Sequence, residues 1–335
     1  MILLAAACTS RVSGPEPTAA TGTVAPTSSP SPTGSTDPLD DPAAVAVLSV
    51  TRRQALDRPD VRTISGEHEE PLARCADDDR TFDLRRYGSV GSFDSTSNLS
   101  FGNDCAAERT IVVGGTVTGT ISHRLTWYEV KHQYEAEGLR FEGDDWLASF
   151  GLSVENIEDG FAPRVTDGTE DGNDVGFLLA GAYMDWIRDD AIEDDALMSG
   201  VIRDVLIDRT NRFLSARPTS GSGYANPGMV VVISNALVRF RPMPNERAED
   251  GRGFGGIFKW DEAAGEVIVS DSIFFLDERP ISDEPFAPGS YSNVTIVLGP
   301  DFEGRYPGEL PDGVDVTRTV SVWGRARRAW LEAHS

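Results

Sequence analysis

Hydrophobic and polar positions along the chain change rhythm several times. Asp41 and Pro42 read as an N-cap and a first-turn proline. Val45, Leu48, Arg52 and Leu56 then fall on one helical stripe, which Pro59 ends. From Val61 to Glu142 the rhythm shortens to period two or to β-branched runs, as in Thr81–Leu84, Leu99–Phe101, Thr110–Val113 and Leu125–Val130. Gly114, Gly115 and Gly119 punctuate that stretch as turns or bulges. The pattern predicts an antiparallel meander.

The middle of the chain returns to helical spacing. Val175, Leu178, Leu179, Tyr183, Trp186 and Ile187 form one stripe. Asp190 to Glu193 resembles a capping box, and Ile192, Leu197, Val201, Ile202, Val205, Leu206, Arg209 and Phe213 continue a second helix up to Pro218. Strand signals resume in Met229–Ile233, Leu237–Phe240, Gly256–Trp260, Val267–Val269, Ile273–Leu276, Val294–Leu298 and Val314–Val322. A closing amphipathic helix places Trp323, Ala326, Trp330 and Leu331 on its inner side. No internal repeat of fixed period emerges. The predicted fold class is therefore α+β, with antiparallel β sheets, a two-helix insertion and terminal helices. Residues 42–335 are read as a single large domain, with a division into two lobes near 143–174 as its alternative form.

Composition adds an address. The chain carries 54 acidic and 30 basic residues, a net charge of −24. No basic stripe of the kind that binds nucleic acid is present, and no apolar run approaches the length of a membrane helix. Residues 1–8, Met-Ile-Leu-Leu-Ala-Ala-Ala-Cys, resemble the end of a bacterial lipoprotein signal peptide, and the missing charged region places the true start upstream of Met1. The resemblance implies cleavage before Cys8 and a lipid on that cysteine, hence an extracytoplasmic protein tied to the outer face of the cell membrane. Residues 9–41 are dominated by Ser, Thr, Pro and Gly and read as a disordered tether. The whole arrangement resembles secreted lipoproteins of high-GC Gram-positive bacteria, a group of unknown function.

With Cys8 lipidated, Cys75 and Cys105 remain as an even pair in an oxidising compartment. They stand in a segment, with Gly91-Ser92-Phe93 and Val113-Gly114-Gly115 between and after them, that resembles a recurring β segment of secreted bacterial proteins in which two cysteines pair across strands. That resemblance implies a Cys75–Cys105 disulfide.

Motifs carrying chemistry are few. Asp167, Thr169, Asp171 and Asn173 have the alternating oxygen ligands of a calcium loop, but Leu178 stands where the bidentate Glu belongs, so calcium competes with a plain helix cap. Ser220, Ser222 and Tyr224 form a Gly-spaced loop that fits the rim of a ligand site better than a nucleophile elbow. Gly251–Gly256 matches the letters of a dinucleotide loop without the strand-to-helix context. Arg325, Arg327 and Arg328 beside Trp323 and Trp330 suit either a membrane surface or pairing with the protein's own acids. The expected function is binding or scaffolding at the envelope, in one form a carrier of lipid or another hydrophobic ligand. The alternative is an extracytoplasmic hydrolase of wall polymers using paired carboxylates. Two convergent carboxylates in a cleft beside Trp127, Trp146 or Trp260 would favour the hydrolase; a deep apolar cavity would favour the carrier.

Overall fold

The computed structural model describes residues 50–74, 80–92, 97–101, 109–134, 136–143, 146–165, 176–218, 225–282 and 286–335, all within one compact unit, Thr36–Ser335. Strands β1 to β22 are numbered in chain order, and all but β15 and β16 are assembled into three parallel ladders. The first ladder contains β1 (Val61–His68), β3 (Arg80–Val90), β5 (Arg109–Thr118), β7 (Trp146–Phe150) and β10 (Gly176–Ala180), then the starts of β13 (Ser199–Ala216) and β14 (Asn226–Phe240), and finally β18 (Ala264–Ser270) and β20 (Gly289–Ser292). The second runs from the end of β5 through β8 (Ser153–Glu155), β11 (Tyr183–Asp185), β13, β14, β19 (Ile273–Leu276) and β21 (Val294–Leu298) to β22 (Val314–Thr317). The third holds β2 (Leu72–Arg74), β4 (Leu99–Phe101), β6 (Glu137–Gly143), β9 (Asp159–Val165), β12 (Ile187–Glu193), the end of β13 and β17 (Gly256–Trp260).

Each strand pairs with the one a full turn of chain away, and β13 alone crosses all three ladders. This is a coil of parallel rungs with three faces, a parallel β-helix. Among the described residues only the hairpin β15 (Met243–Pro244) and β16 (Arg252–Gly253) is antiparallel.

The coil turns its corners with left-handed backbone. Val113, Phe150, Ala180, Arg203, Ser234, Ser270 and Ser292 stand in register on successive rungs. The residue after each, Gly114, Gly151, Gly181, Asp204, Asn235, Asp271 and Asn293, has φ between 48° and 80°. Glycine, asparagine and aspartate tolerate that conformation best, which explains the composition of the column. Adjacent corner side chains also bond: Asn293 Nδ2 donates to Asp271 Oδ1 at 2.7 Å.

The interior is a stack of apolar side chains. Phe82, Phe101, Phe141, Phe161 and Phe177 follow one another with ring centroids 4.8 to 6.1 Å apart. Phe213, Phe258 and Phe274 form a second stack. Short helices cover the outside. Helix α1 (Arg52–Leu56), closed by a Thr51–Gln54 capping box, sets Ala55 on Ile111, Val113, Trp146 and Phe150 of the first face. Helix α2 (Trp127–Gln133) lies against β12 of the third. Helix α3 (Ser321–His334) buries Trp323 and Trp330 on Leu206, Leu237, Phe275 and Val297 of the second.

The predicted α+β class with antiparallel sheets is overturned: the described chain is mostly β, with one large parallel sheet. The two-helix insertion between Val175 and Phe213 is instead β10 to β13. Its apparent helical stripe mixes interior residues such as Leu179, Ile187, Ile202 and Val205 with Leu178, Val201, Tyr183 and Leu206, which are covered from outside by α1 and α3. Taken together, the two sets imitate a period of 3.6. Leu125–Val130, expected as a strand, is mostly α2, whose capping box pairs Thr126 with Glu129.

Candidate active site

The third face gathers ionisable groups at the start and along the length of its rungs. Glu158 immediately precedes β9 and Asp159 begins it, Asp189, Asp190 and Glu193 belong to β12, and Lys259 lies on β17. From the side, α2 contributes Trp127 and Lys131, and the β15–β16 hairpin closes over α2: Arg247 lies 3.9 Å above the Trp127 ring, and Glu246 accepts from the Tyr128 amide at 3.1 Å.

Asp189 is held by three donors. Trp127 Nε1 reaches Oδ1 at 2.7 Å, Asn211 Nδ2 reaches the same oxygen at 3.3 Å, and Lys131 Nζ reaches Oδ2 at 2.9 Å. Lys259 Nζ bonds Asp190 Oδ2 at 3.1 Å, and the Asp190 amide donates to Asp159 Oδ1 at 2.8 Å. Arg164 Nη2 bridges Glu137 Oε1 at 3.0 Å and Glu193 Oε2 at 2.5 Å, while its Nη1 lies 3.1 Å from Asp195. One oxygen from each of Asp159, Asp190 and Glu193 lies within 4.8 Å of the others. Asp190 Oδ1 and the Ser215 hydroxyl are buried with no hydrogen-bond partner, and Ser215 stands on the rung between Glu193 and Lys259.

The environment drives these carboxyls apart. Burial pushes Asp189 up, but the Lys131 and Lys259 ammonium groups and the Trp127 N–H outweigh it and hold it below the usual carboxylate range. Burial raises Glu193 to about 7 against the opposing Arg164 guanidinium. Burial and the Asp189 charge lift Glu158 to about 9 against Lys131. Asp159, buried and facing Glu193 and Glu158, is held well above its ordinary value. Asp190 is raised by burial and by Asp189, with Lys259 pulling the other way. The site thus sets the lowered carboxyl of Asp189 beside carboxyls that burial raises, with Glu193 titrating near neutrality and keeping 8% of its surface exposed. The same three oxygens suit a divalent cation by type and spacing, although the Lys259 ammonium already occupies one side of Asp190.

The residues singled out in the sequence, Cys8, Cys75, Cys105, Asp167, Thr169, Asp171, Asn173, Ser220, Ser222 and Tyr224, all lie outside the described residues. The sequence pattern predicts a helix start at Asp190 to Glu193, where the structure has the end of β12. Ile187-Arg-Asp-Asp-Ala-Ile-Glu193 shows no alternation that would mark these acids, since Asp189 and Asp190 are adjacent and the whole strand is buried. Comparison with known proteins adds nothing to this geometry: no family model matches the chain, and neither a curated protein nor a solved structure matches it.

Proposed function

We propose that this chain is an envelope-anchored hydrolase of wall polysaccharide, carried on a lipid at Cys8 and working through the third-face carboxylates. The observation that supports it is the close approach of Glu193, whose carboxyl burial raises to about 7, to Asp190, which is ion-paired to Lys259. Glu193, protonated up to about pH 7, donates its proton to the glycosidic oxygen as the bond to the anomeric carbon breaks. Asp190, in the ionised form that its Lys259 ion pair through Oδ2 favours, attacks that carbon with Oδ1, an atom buried in the free protein that the substrate has to uncover. Water, deprotonated by the Glu193 carboxylate, then displaces Asp190 and restores both groups. The oxygen spacing within 4.8 Å suits this double displacement. An inverting route needs carboxyls about 6.5–9.5 Å apart to admit a water. Asp159 and Asp189 position Asp190 and set the local charge.

The carrier alternative calls for an apolar cavity, and the stacked phenylalanines of the interior favour the hydrolase over it. The test is incubation of the purified protein with a panel of wall polysaccharides and measurement of new reducing ends. Release that Asp190→Asn abolishes supports the reading. No release from any substrate, or equal release by the variant, rejects it.

A further inference from the structure

A second concave site lies on another face. Between α3 and the outer side of the second ladder is a pocket of about 580 Å³, with Tyr183 and Trp323 in its walls. Five arginines line it: Arg209, Arg239, Arg241, Arg327 and Arg328. Three carboxylates answer them. Asp185 accepts from Arg209 Nε at 2.6 Å, Asp208 from Arg327 Nε at 2.7 Å, and Asp277 takes both Arg239 at 2.8 Å and Arg241 at 3.2 Å. Arg328 is exposed and makes no ion pair among the described residues. Guanidinium charge therefore exceeds carboxylate charge at this spot, on a chain whose net charge is −24. An acidic protein that concentrates uncompensated cations in a concavity creates a local attraction for anions.

The pocket is also built rather than loosely decorated. The carboxylates hold four of the guanidiniums, and Arg239 is further seated 4.8 Å above the Phe275 ring. Trp323 is buried in the wall with an indole N–H that has no acceptor. Planar guanidinium forks recognise carboxylate and phosphate oxygens. The volume falls in the range of small-molecule sites, about 300–1,000 Å³, and is far larger than a bare ion requires. We infer that this pocket binds a sugar unit bearing a carboxylate or a phosphate, with the oxyanion at Arg241 and Arg328 and the sugar ring against Tyr183 and Trp323. It is separate from the third-face acids and stands whether or not they hydrolyse anything.

Titration calorimetry on the full chain at low ionic strength tests it, with glucuronate, glucose 6-phosphate and glucose as probes. The expected result is saturable binding of both anions, no binding of glucose, and a loss of at least tenfold in affinity in Arg241→Gln/Arg328→Gln. Absence of binding by both anions, equal binding of glucose, or parental affinity in the double variant would overturn the inference.

Discussion

Asp194, immediately after β12, makes a buried carboxyl into a pH-dependent load on the fold. Its Oδ1 accepts from the Met198 amide at 3.0 Å, while Oδ2 is buried without a partner. Burial raises its pKa from 3.8 to about 8, with the backbone bond opposing. In the unfolded chain the group ionises near 3.8, so between that value and about 8 the unfolded state binds fewer protons than the folded one. Stability from this group is therefore complete below the unfolded pKa and is lost as pH rises through the folded pKa. A shift of that size corresponds to a loss on the order of 5 kcal/mol. Asp194→Asn keeps the acceptor and removes the ionisation, but buries an extra N–H donor at a cost of about 1–3 kcal/mol. The variant should be less stable than the parent by about 1–3 kcal/mol at pH 4 and more stable by about 2–4 kcal/mol at pH 8. Urea unfolding at several pH values measures the difference directly. A difference between the two proteins that stays constant from pH 4 to pH 8 would refute the reasoning, since Asp194 would then be ionised in the fold throughout.

Other consequences are independent of that group. Asn293→Val, forced to φ 52° and deprived of its bond to Asp271, should lose about 1–3 kcal/mol, whereas Asn293→Gly should stay within about 1 kcal/mol of the parent in the same unfolding assay. Cys75 and Cys105 follow β2 and β4, which are paired neighbours in the third ladder. Mass spectrometry of a non-reduced digest should find their peptides linked, and ready alkylation of both without reductant would exclude the bond. In cells expressing the full upstream signal, Cys8→Ser should move the protein from the membrane fraction to the medium.

Strand positions were legible in short β-branched runs between turn residues, such as Thr110–Val113 and Val294–Leu298, but not in the longer β10 to β13. Strand direction was not. A turn such as Asp271 looks the same whether it reverses the chain or bends it through a corner, and the true partner lies a whole coil away. The corner column Asp204, Asn235, Asp271 and Asn293 is the sequence trace of the coil, but the intervals between its members are unequal, so no fixed period exposes it. The site was hidden for a related reason. In a chain with 54 acids, Asp159, Asp190 and Glu193 become distinctive only when parallel pairing brings β9 and β12 together. Helix α2 could have been found from Thr126-Trp-Tyr-Glu129, a capping box whose β-rich centre disguised it.

We propose Glu193 as the proton donor of a glycosidic hydrolysis. The pH–rate profile of reducing-end release, for the parent and Glu193→Gln, tests it most directly. The raised Glu193 pKa predicts a parental rate that falls as pH climbs through about 7. The variant should lose about 10²- to 10⁴-fold, with no limb near 7 in its residual rate. A variant that keeps the parental rate, or that keeps the same descending limb, would contradict the assignment.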